Sequence, residues 1–283
     1  MIYYFDTNAV YNIRKVPAEI LESSFTSALS LIELISGIKD LRSYNKRKSI
    51  ITQIYSLQMT IDWAMPEEII FNSFDIFWDD EFVDSRIEKL DNLIEELINS
   101  TSYEQYQSSP TYISEHGHNY FREMDDSMNS LFVLRTQSSF ESFRESFQND
   151  SSQNTITVNG QFNRLDTPKA LLTFFEKYPE LNRAVTINGL ASMLINKFDQ
   201  TRFSKEDVFE SYNGLVDTYV DCMSRYCIYK LSNYDLPGKN DFSDLTHTLY
   251  MKNIPGRKIV SDDSLFKVYL KELVVPLADV IIS

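Results

Sequence analysis

Glycine and cysteine are both scarce in this chain, with 7 glycines and 2 cysteines among 283 residues. Tight turns depend on glycine, so the shortage disfavours an all-β fold built from many short hairpins. Cys222 and Cys227 are five positions apart in a predicted helix and therefore lie on different faces. This spacing disfavours a disulfide or a structural zinc site, and we expect two reduced thiols.

A long apolar run is also missing. No stretch approaches the roughly 18 apolar residues that a membrane-spanning helix needs. The first residues carry no basic cluster, and Asp6 stands where a signal peptide would be apolar. The composition, 43% hydrophobic and 24% charged, is that of a globular protein. We therefore expect a cytoplasmic protein with no membrane contact.

Positive charge is in short supply, because the net charge is −14. Residues 61–150 hold 5 basic and 20 acidic side chains, a balance of −15. Residues 1–60 hold 7 basic and 5 acidic side chains (+2), and residues 151–283 hold 15 basic and 16 acidic ones (−1). An acidic surface repels a phosphate backbone, so we expect the middle segment to face solvent or a protein partner.

Strand and helix patterns alternate at both ends of the chain. An apolar run predicts a strand over residues 2–5, and short strands are also predicted over 26–29 and 257–260, whereas the middle of the chain is mostly helical. One helix is predicted from Ser204 to about Leu231, where Ser204 and Asp207 form its start signal. The pattern predicts an α/β fold, a small parallel sheet flanked by helices, that a large and mostly helical insertion splits in the sequence.

This fold predicts two parts. Residues 1–60 and 236–283 form the sheet-containing core, and residues 61–235 form the helical, acidic insertion, packed on or beside the core.

Acidic residues stand at or near predicted strand ends and helix starts. Asp6 ends the first strand, and Asp262 and Asp263 follow the last one. Open parallel sheets bind their ligands at the carboxyl ends of strands, so these acids are site candidates. Each also has a structural interpretation, because Asp and Asn are ordinary turn and capping residues.

Two further acids stand in apolar helical surroundings. Glu33 follows Ser30 at the spacing of a capping box, which is its structural alternative. Asp241 and Asp244 are three apart, so a helix would place them on one face near its positive end. Acids gathered from distant segments are explained if they share a divalent cation, because like charges otherwise repel.

Four of these segments together resemble the PIN-domain ribonucleases. The shared features are an apolar strand ending in Asp6-Thr7-Asn8, a helix carrying Glu33, a late helix opening with Asp244-Leu245-Thr246-His247, and the strand end Ser261-Asp262-Asp263 with Phe266. The resemblance covers residues 1–40 and 238–270, about a third of the chain. Ser261 replaces the more usual Thr, and the doublet Asp262-Asp263 leaves the fourth acid ambiguous, although its spacing from Ser261 favours Asp263.

The resemblance implies hydrolysis of RNA phosphodiesters with Mg²⁺ or Mn²⁺. It implies that Asp6, Glu33, Asp244 and Asp263 are catalytic and hold the metal, with Asp241 and Asp262 as alternative ligands. Thr7, Asn8 and Ser261 would orient these carboxylates. A toxin or defence effector is the biological role that the analogy suggests.

The candidates for holding RNA are basic residues soon after the first two site segments: Arg14, Lys15, Arg42, Lys46, Arg47 and Lys48. Their alternative interpretation is a solvated helix face. The alternative function is an inactive PIN-like scaffold that binds RNA or a protein partner through the acidic insertion. A phosphatase-like chemistry is disfavoured, because Asn8 stands where a second aspartate would be expected. The sequence favours a surface loop for Glu115–His118 and a helix-packing role for His247.

Overall fold

The computed structural model describes residues 1–76, 80–149, 155–197, 204–233, 235–238 and 240–281. Its centre is a parallel sheet of five strands: β1 (Ile2–Phe5), β2 (Ser24–Ser27), β3 (Thr60–Asp62), β6 (Arg257–Val260) and β7 (Val274–Val275). Their order across the sheet is β3-β2-β1-β6-β7. A separate two-stranded antiparallel sheet consists of β4 (Thr155–Val158) and β5 (Gln161–Arg164).

Helices account for most of the remaining described chain. They are α1 (Thr7–Val10), α2 (Ala18–Leu21), α3 (Ala28–Ser36), α4 (Leu41–Ser56), α5 (Pro66–Asn72), α6 (Asp80–Asn99), α7 (Tyr103–Gln107), α8 (Pro110–Ile113), α9 (His118–Asn149), α10 (Pro168–Lys177), α11 (Pro179–Lys197), α12 (Lys205–Glu210), α13 (Asp217–Ser232), α14 (Asp241–His247) and α15 (Ser264–Tyr269). The predicted α/β class with a parallel sheet flanked by helices is confirmed.

Alternating side chains of the central strands enter two hydrophobic cores. Tyr4 of β1 and Ile259 of β6 belong to one core, and their neighbours Phe5 and Val260 belong to the other. Successive side chains of a strand point to opposite faces, so the two cores cover the two faces of the sheet. A sheet buried on both faces explains why β1 is an apolar run and why the carboxyl-terminal half of β6, Ile259-Val260, is apolar.

Residues of the predicted insertion build part of these cores. Leu190 of α11 and Tyr219 of α13 pack in the same core as Tyr4. Leu93 of α6 and Phe121 of α9 pack in the core that contains Phe5. Helix α9 also packs against both α3 and α14. The middle segment therefore contributes directly to the surroundings of the sheet.

The second strand and the helix after it differ from the prediction. The expected strand at 26–29 is wrong, because β2 spans Ser24–Ser27 and α3 begins at Ala28. Ser27 is the N-cap of α3, and its Oγ accepts a hydrogen bond from the amide of Ser30 at 3.2 Å. The capping box between Ser30 and Glu33 therefore does not form, and the Glu33 side chain is available for other contacts.

One long helix predicted from the sequence is divided in the structure. The predicted helix from Ser204 to Leu231 is wrong, because α12 and α13 are separate and Gly214 between them has φ of 83°. Strands β4 and β5 form a hairpin whose turn residues, Asn159 and Gly160, both have positive φ. Within the described residues, no helix is both long and apolar enough to cross a membrane.

Candidate functional site

Asp6 lies at the carboxyl end of β1, where it also begins α1. Its side chain is only 2% exposed, and its Oδ1 accepts a hydrogen bond from the amide of Ala9 at 2.7 Å. Burial raises the pKa of Asp6, although the charge of His247 and a hydrogen bond from Ser261 oppose the rise. A buried carboxylate that is only partly compensated is a candidate ligand for a cation.

Glu33 points from α3 toward the same strand end, where three side chains contact it. Thr7 and Ser243 donate hydrogen bonds to its two carboxylate oxygens. His247 places Nε2 3.2 Å from Oε2 of Glu33. Burial acts to raise the pKa of Glu33, but the nearby His247 charge and these hydrogen bonds outweigh it and lower the pKa.

His247 is itself buried, with 2% of its surface exposed. Its Nδ1 lies 2.5 Å from the hydroxyl of Tyr4, which in turn lies 2.8 Å from Oγ of Ser27. Burial acts to lower the pKa of His247, but the carboxylate of Glu33 outweighs it and raises the pKa. His247 packs inside the protein as expected, but no local pattern indicates its contact with Glu33, which is 214 positions away.

Asp244 lies in the first turn of α14 and faces the same cleft. Burial raises the pKa of Asp244 to about 7, and the carboxylate of Asp263 adds to the rise. In the described part of the chain, the Asp244 carboxylate receives no hydrogen bond. Asp263 caps α15 by accepting from the amide of Leu265 at 2.7 Å. Asp263 therefore acts on Asp244 electrostatically while it holds its own helix.

The two alternative acids lie elsewhere. The Asp241 carboxylate accepts from the hydroxyl of Tyr226 at 2.5 Å and lies 3.6 Å from Nζ of Lys230, neither of which lines the cleft. The side chain of Asp262 is 57% exposed and lies 3.7 Å from Nζ of Lys267. Of each ambiguous pair, the structure thus places Asp244 and Asp263, and not Asp241 or Asp262, beside the other acids.

The three expected orienting residues have different positions. Thr7 contacts Glu33, and Ser261 is fully buried and bonded to Asp6. Ser261 Oγ also accepts from the amide of Asp263 at 3.1 Å, so one hydroxyl links the ends of β1 and β6. Asn8 is exposed at the edge of the cleft.

Asp6, Glu33 and Asp244 line a polar cleft of about 260 Å³, whereas Asp263 lies outside its wall. Its wall is formed by Asp6, Thr7, Asn8, Tyr11, Glu33, Arg47, Asp125, Asn129, Asn240, Ser243, Asp244 and His247. The sequence did not identify Asp125 and Asn129, which α9 of the middle segment contributes. The cleft is smaller than the roughly 300–1,000 Å³ of ordinary small-molecule pockets, so it suits a small polar group.

The basic candidates divide into two groups. Arg47 lines the cleft and donates from Nη1 to the carbonyl oxygens of Glu33 and Leu34, at 2.5 and 3.0 Å. Lys46 places Nζ 4.3 Å from the ring centroid of Tyr11, which also lines the cleft. Lys46 and the remaining candidates lie outside the cleft wall: Arg14, Lys15 and Arg42 are exposed, and Lys48 donates to the carbonyl of Ser100.

The histidine pair that we assigned to a surface loop is partly buried. His118 is 1% exposed, its ring stacks on Tyr112, and Nε2 lies 3.1 Å from the carbonyl oxygen of Ile35. Burial lowers the pKa of His118. This histidine helps to fix α9 against α3, and it lies outside the cleft wall.

A hard divalent cation needs oxygen ligands, which the carboxylates of this cleft offer. Among the described residues, no three His, Cys, Asp or Glu side chains are grouped to hold a metal. Mg²⁺, however, keeps several waters and needs only one or two carboxylates. Asp6 and Asp244 carry raised pKa values, the mark of carboxylates whose charge is not fully compensated. These two residues therefore fit a hydrated cation, whereas Glu33 is already engaged by three neighbours.

Comparisons of this chain with protein-family models, with curated proteins and with solved structures find no match.

Proposed function

We propose that this protein is a metal-dependent ribonuclease that hydrolyses RNA phosphodiesters in the cleft beside Asp6 and Asp244. The observation that carries the proposal is the meeting of these two carboxylates at the carboxyl end of a parallel sheet, with the pKa of Asp244 raised to about 7 by burial and by Asp263. The PIN-like order of the acidic segments in the sequence adds support, as does the polar lining of the cleft.

In this proposal Asp6 and Asp244 hold Mg²⁺ or Mn²⁺. When bound, the cation would supply an activated water and neutralise charge on the phosphoryl oxygens. Ser261 fixes the orientation of Asp6. The charge of Asp263 adds negative potential at Asp244, which a bound cation would offset.

Glu33 has a supporting role in this proposal. Its carboxylate is held by Thr7, Ser243 and His247, so its orientation is fixed before any ligand arrives. It maintains negative charge behind Asp6 and Asp244 without needing to contact the cation. A preorganised charge of this kind costs no rearrangement during the reaction.

The basic side chains near the cleft provide the substrate contacts. Arg47 and Lys46, with the ring of Tyr11, offer positive charge and an aromatic surface at the cleft. Two cations are few for a nucleic-acid surface and would release few counterions, so RNA binding should be weak and only shallowly dependent on salt.

One observation favours a second candidate, an inactive PIN-like scaffold that binds RNA or a protein partner. Glu33 is fully engaged by protein groups, and within the described chain no group of three ligands is arranged for a metal. A scaffold that kept these acids for structural reasons would have both features.

Cleavage of a labelled RNA strand by the purified protein, with Mn²⁺ or with EDTA, separates these two candidates. We expect cleavage with Mn²⁺ alone, and its reduction to the EDTA level in Asp6→Asn and in Asp244→Asn. Asp262→Asn is the matched control, because this exposed aspartate is next to Asp263 and lies outside the cleft wall. Mn²⁺ binding without cleavage would favour the scaffold, and the absence of both would overturn the nuclease proposal.

A further inference from the structure

Helix α9 belongs to the acidic middle segment, yet it forms part of the carboxylate cleft. It packs against α3, which carries Glu33, and against α14, which carries Asp244. From this position it contributes Asp125 and Asn129 to the cleft wall. The segment that carries the chain's excess negative charge therefore reaches the site itself.

Asp125 is held in place by two neighbours. Oγ of Ser36 donates to its Oδ2 at 2.6 Å, although the two residues are 89 positions apart. Nδ2 of Asn129, one turn further along α9, donates to Oδ1 of Asp125 at 3.2 Å and to its carbonyl oxygen at 3.0 Å. Because the Asn129 amide group donates to Asp125, the carboxylate is fixed on both sides.

The position of Asp125 is electrostatically unfavourable. Ser36 is the last residue of α3, so the carboxylate lies at the negative end of that helix, where cations are preferred. Burial and the charge of Glu33 raise the pKa of Asp125, and they outweigh the hydrogen bond from Ser36 and the charge of Arg47, which lower it. Residues placed against the local field concentrate at functional sites, which makes a functional role the better explanation.

We propose, on the basis of the proposed ribonuclease function, that Asp125 and Asn129 determine specificity by keeping a phosphodiester strand away from the α9 side of the cleft. Asp125 repels phosphate there, and Asn129 holds Asp125 in position. The strand then has access along the part of the cleft wall formed by Tyr11 and Arg47, with Lys46 beside the ring of Tyr11. The same negative charge draws a divalent cation toward Asp6 and Asp244.

This role predicts effects of opposite sign on two ligands. Asp125→Asn keeps the shape of the side chain and removes its charge, so a phosphate strand should bind more tightly and a cation less tightly. A purely structural role would instead weaken the binding of both ligands together. Removing one partly screened charge from the cleft wall should change the dissociation constant of each ligand roughly three- to tenfold.

The test uses the full chain and does not depend on cleavage. Binding of a fluorescein-labelled 12-nucleotide RNA is measured in EDTA by anisotropy, and binding of Mn²⁺ alone is measured by calorimetry. Asp126→Asn is the matched control, because it removes the same charge from the next residue of α9, which is exposed. We expect Asp125→Asn to tighten RNA binding and weaken Mn²⁺ binding, with less than a twofold change for Asp126→Asn.

A second variant tests the role of Asn129. Asn129→Ala removes the donor that holds Asp125, so it should change RNA and Mn²⁺ binding in the same directions as Asp125→Asn, but by less. Equal effects of the Asp125 and Asp126 variants would overturn the specificity role and leave the ribonuclease proposal intact. Weaker binding of both ligands in Asp125→Asn would also overturn it. If the unaltered protein bound neither RNA nor Mn²⁺, both proposals would fail.

Discussion

Oε2 of Glu33 and Nε2 of His247 lie 3.2 Å apart, and this contact joins α3 to the last turn of α14. The raised pKa of His247 and the lowered pKa of Glu33 describe an ion pair, in which burial opposes both charges and their mutual attraction outweighs it. When it is protonated, the imidazole can donate from Nε2 to Glu33 and from Nδ1 to the hydroxyl oxygen of Tyr4. The pair fixes Glu33 behind the two carboxylates that face the cleft.

Replacing His247 by Ala should lower the free energy of unfolding by roughly 3–5 kcal/mol, because Glu33 would keep a buried charge without its partner. Tyr4→Phe is the milder comparison and should cost about 1–3 kcal/mol, since it leaves Nδ1 of His247 without an acceptor. Urea denaturation monitored by circular dichroism measures both values. Wild-type stability in His247→Ala would show that the pair contributes nothing.

The contribution of this pair should depend on pH in a defined window. The lowered pKa of Glu33 gives stability that is complete above its ordinary value of 4.5 and is lost as pH falls through the folded-state pKa. The raised pKa of His247 gives stability that is complete below 6.5 and is lost as pH rises through the folded-state pKa. The difference between wild type and His247→Ala should therefore be largest between pH 4.5 and 6.5. A difference that is constant from pH 3 to 9 would contradict the ion pair.

Asp244→Asn should make the metal-free protein more stable at pH 8. Burial, with the charge of Asp263, raises the pKa of Asp244 from 3.8 to about 7, so the folded protein binds this proton more tightly than the unfolded chain. The wild type therefore loses stability as pH rises from about 4 to about 7, and neutral Asn avoids the loss. The upper limit of the gain is about 4 kcal/mol, and it should vanish near pH 4.

Thermal unfolding with and without Mn²⁺ extends this comparison. Mn²⁺ should raise the melting temperature of the wild type more than that of Asp244→Asn, because it binds the folded wild type. Asp262→Asn should behave as the wild type under both conditions, since its side chain is exposed. Equal Mn²⁺ effects on wild type and Asp244→Asn would show that this carboxylate holds no cation.

Gly37→Ala should displace the guanidinium of Arg47. A Cβ at position 37 would overlap that group, which now donates to the carbonyl oxygens of Glu33 and Leu34. Loss of these hydrogen bonds should cost about 1–3 kcal/mol. The same substitution in an Arg47→Ala background should cost much less, and a double-mutant cycle measures the difference. Additive effects would show that the two positions are independent.

The parts of the fold that the sequence predicted are those with a strong local pattern. Strands β1 and β6 end in the buried apolar pairs Tyr4-Phe5 and Ile259-Val260, so they are visible in the sequence and the acids that follow them mark the sheet edge. Strand β2 begins two residues earlier than predicted. Its Ser24 and Thr26 are buried with their hydroxyl groups hydrogen-bonded, and such polar residues do not indicate a buried strand in the sequence. Strand β7, with only two residues, is too short for any periodicity.

The candidate site was predictable only where its residues lie close to an element end. Asp6 and Asp244 were predictable as site residues because each stands at the boundary of a strand or helix. The contacts of His247 and Asp125 were not predictable, because each side chain meets its partner across the fold and both residues have ordinary local surroundings in their own helices. Such contacts depend on how helices pack, which the helical period alone does not specify.

The central claim is that the carboxylates of Asp6 and Asp244 share a divalent cation. Anomalous diffraction from crystals grown with Mn²⁺ tests it directly, because the metal is located without reference to activity. We predict one peak within bonding distance of both carboxylates, and its loss in crystals of Asp244→Asn. A well-ordered cleft with no peak, or a peak confined to other carboxylates such as Asp241, would contradict the account.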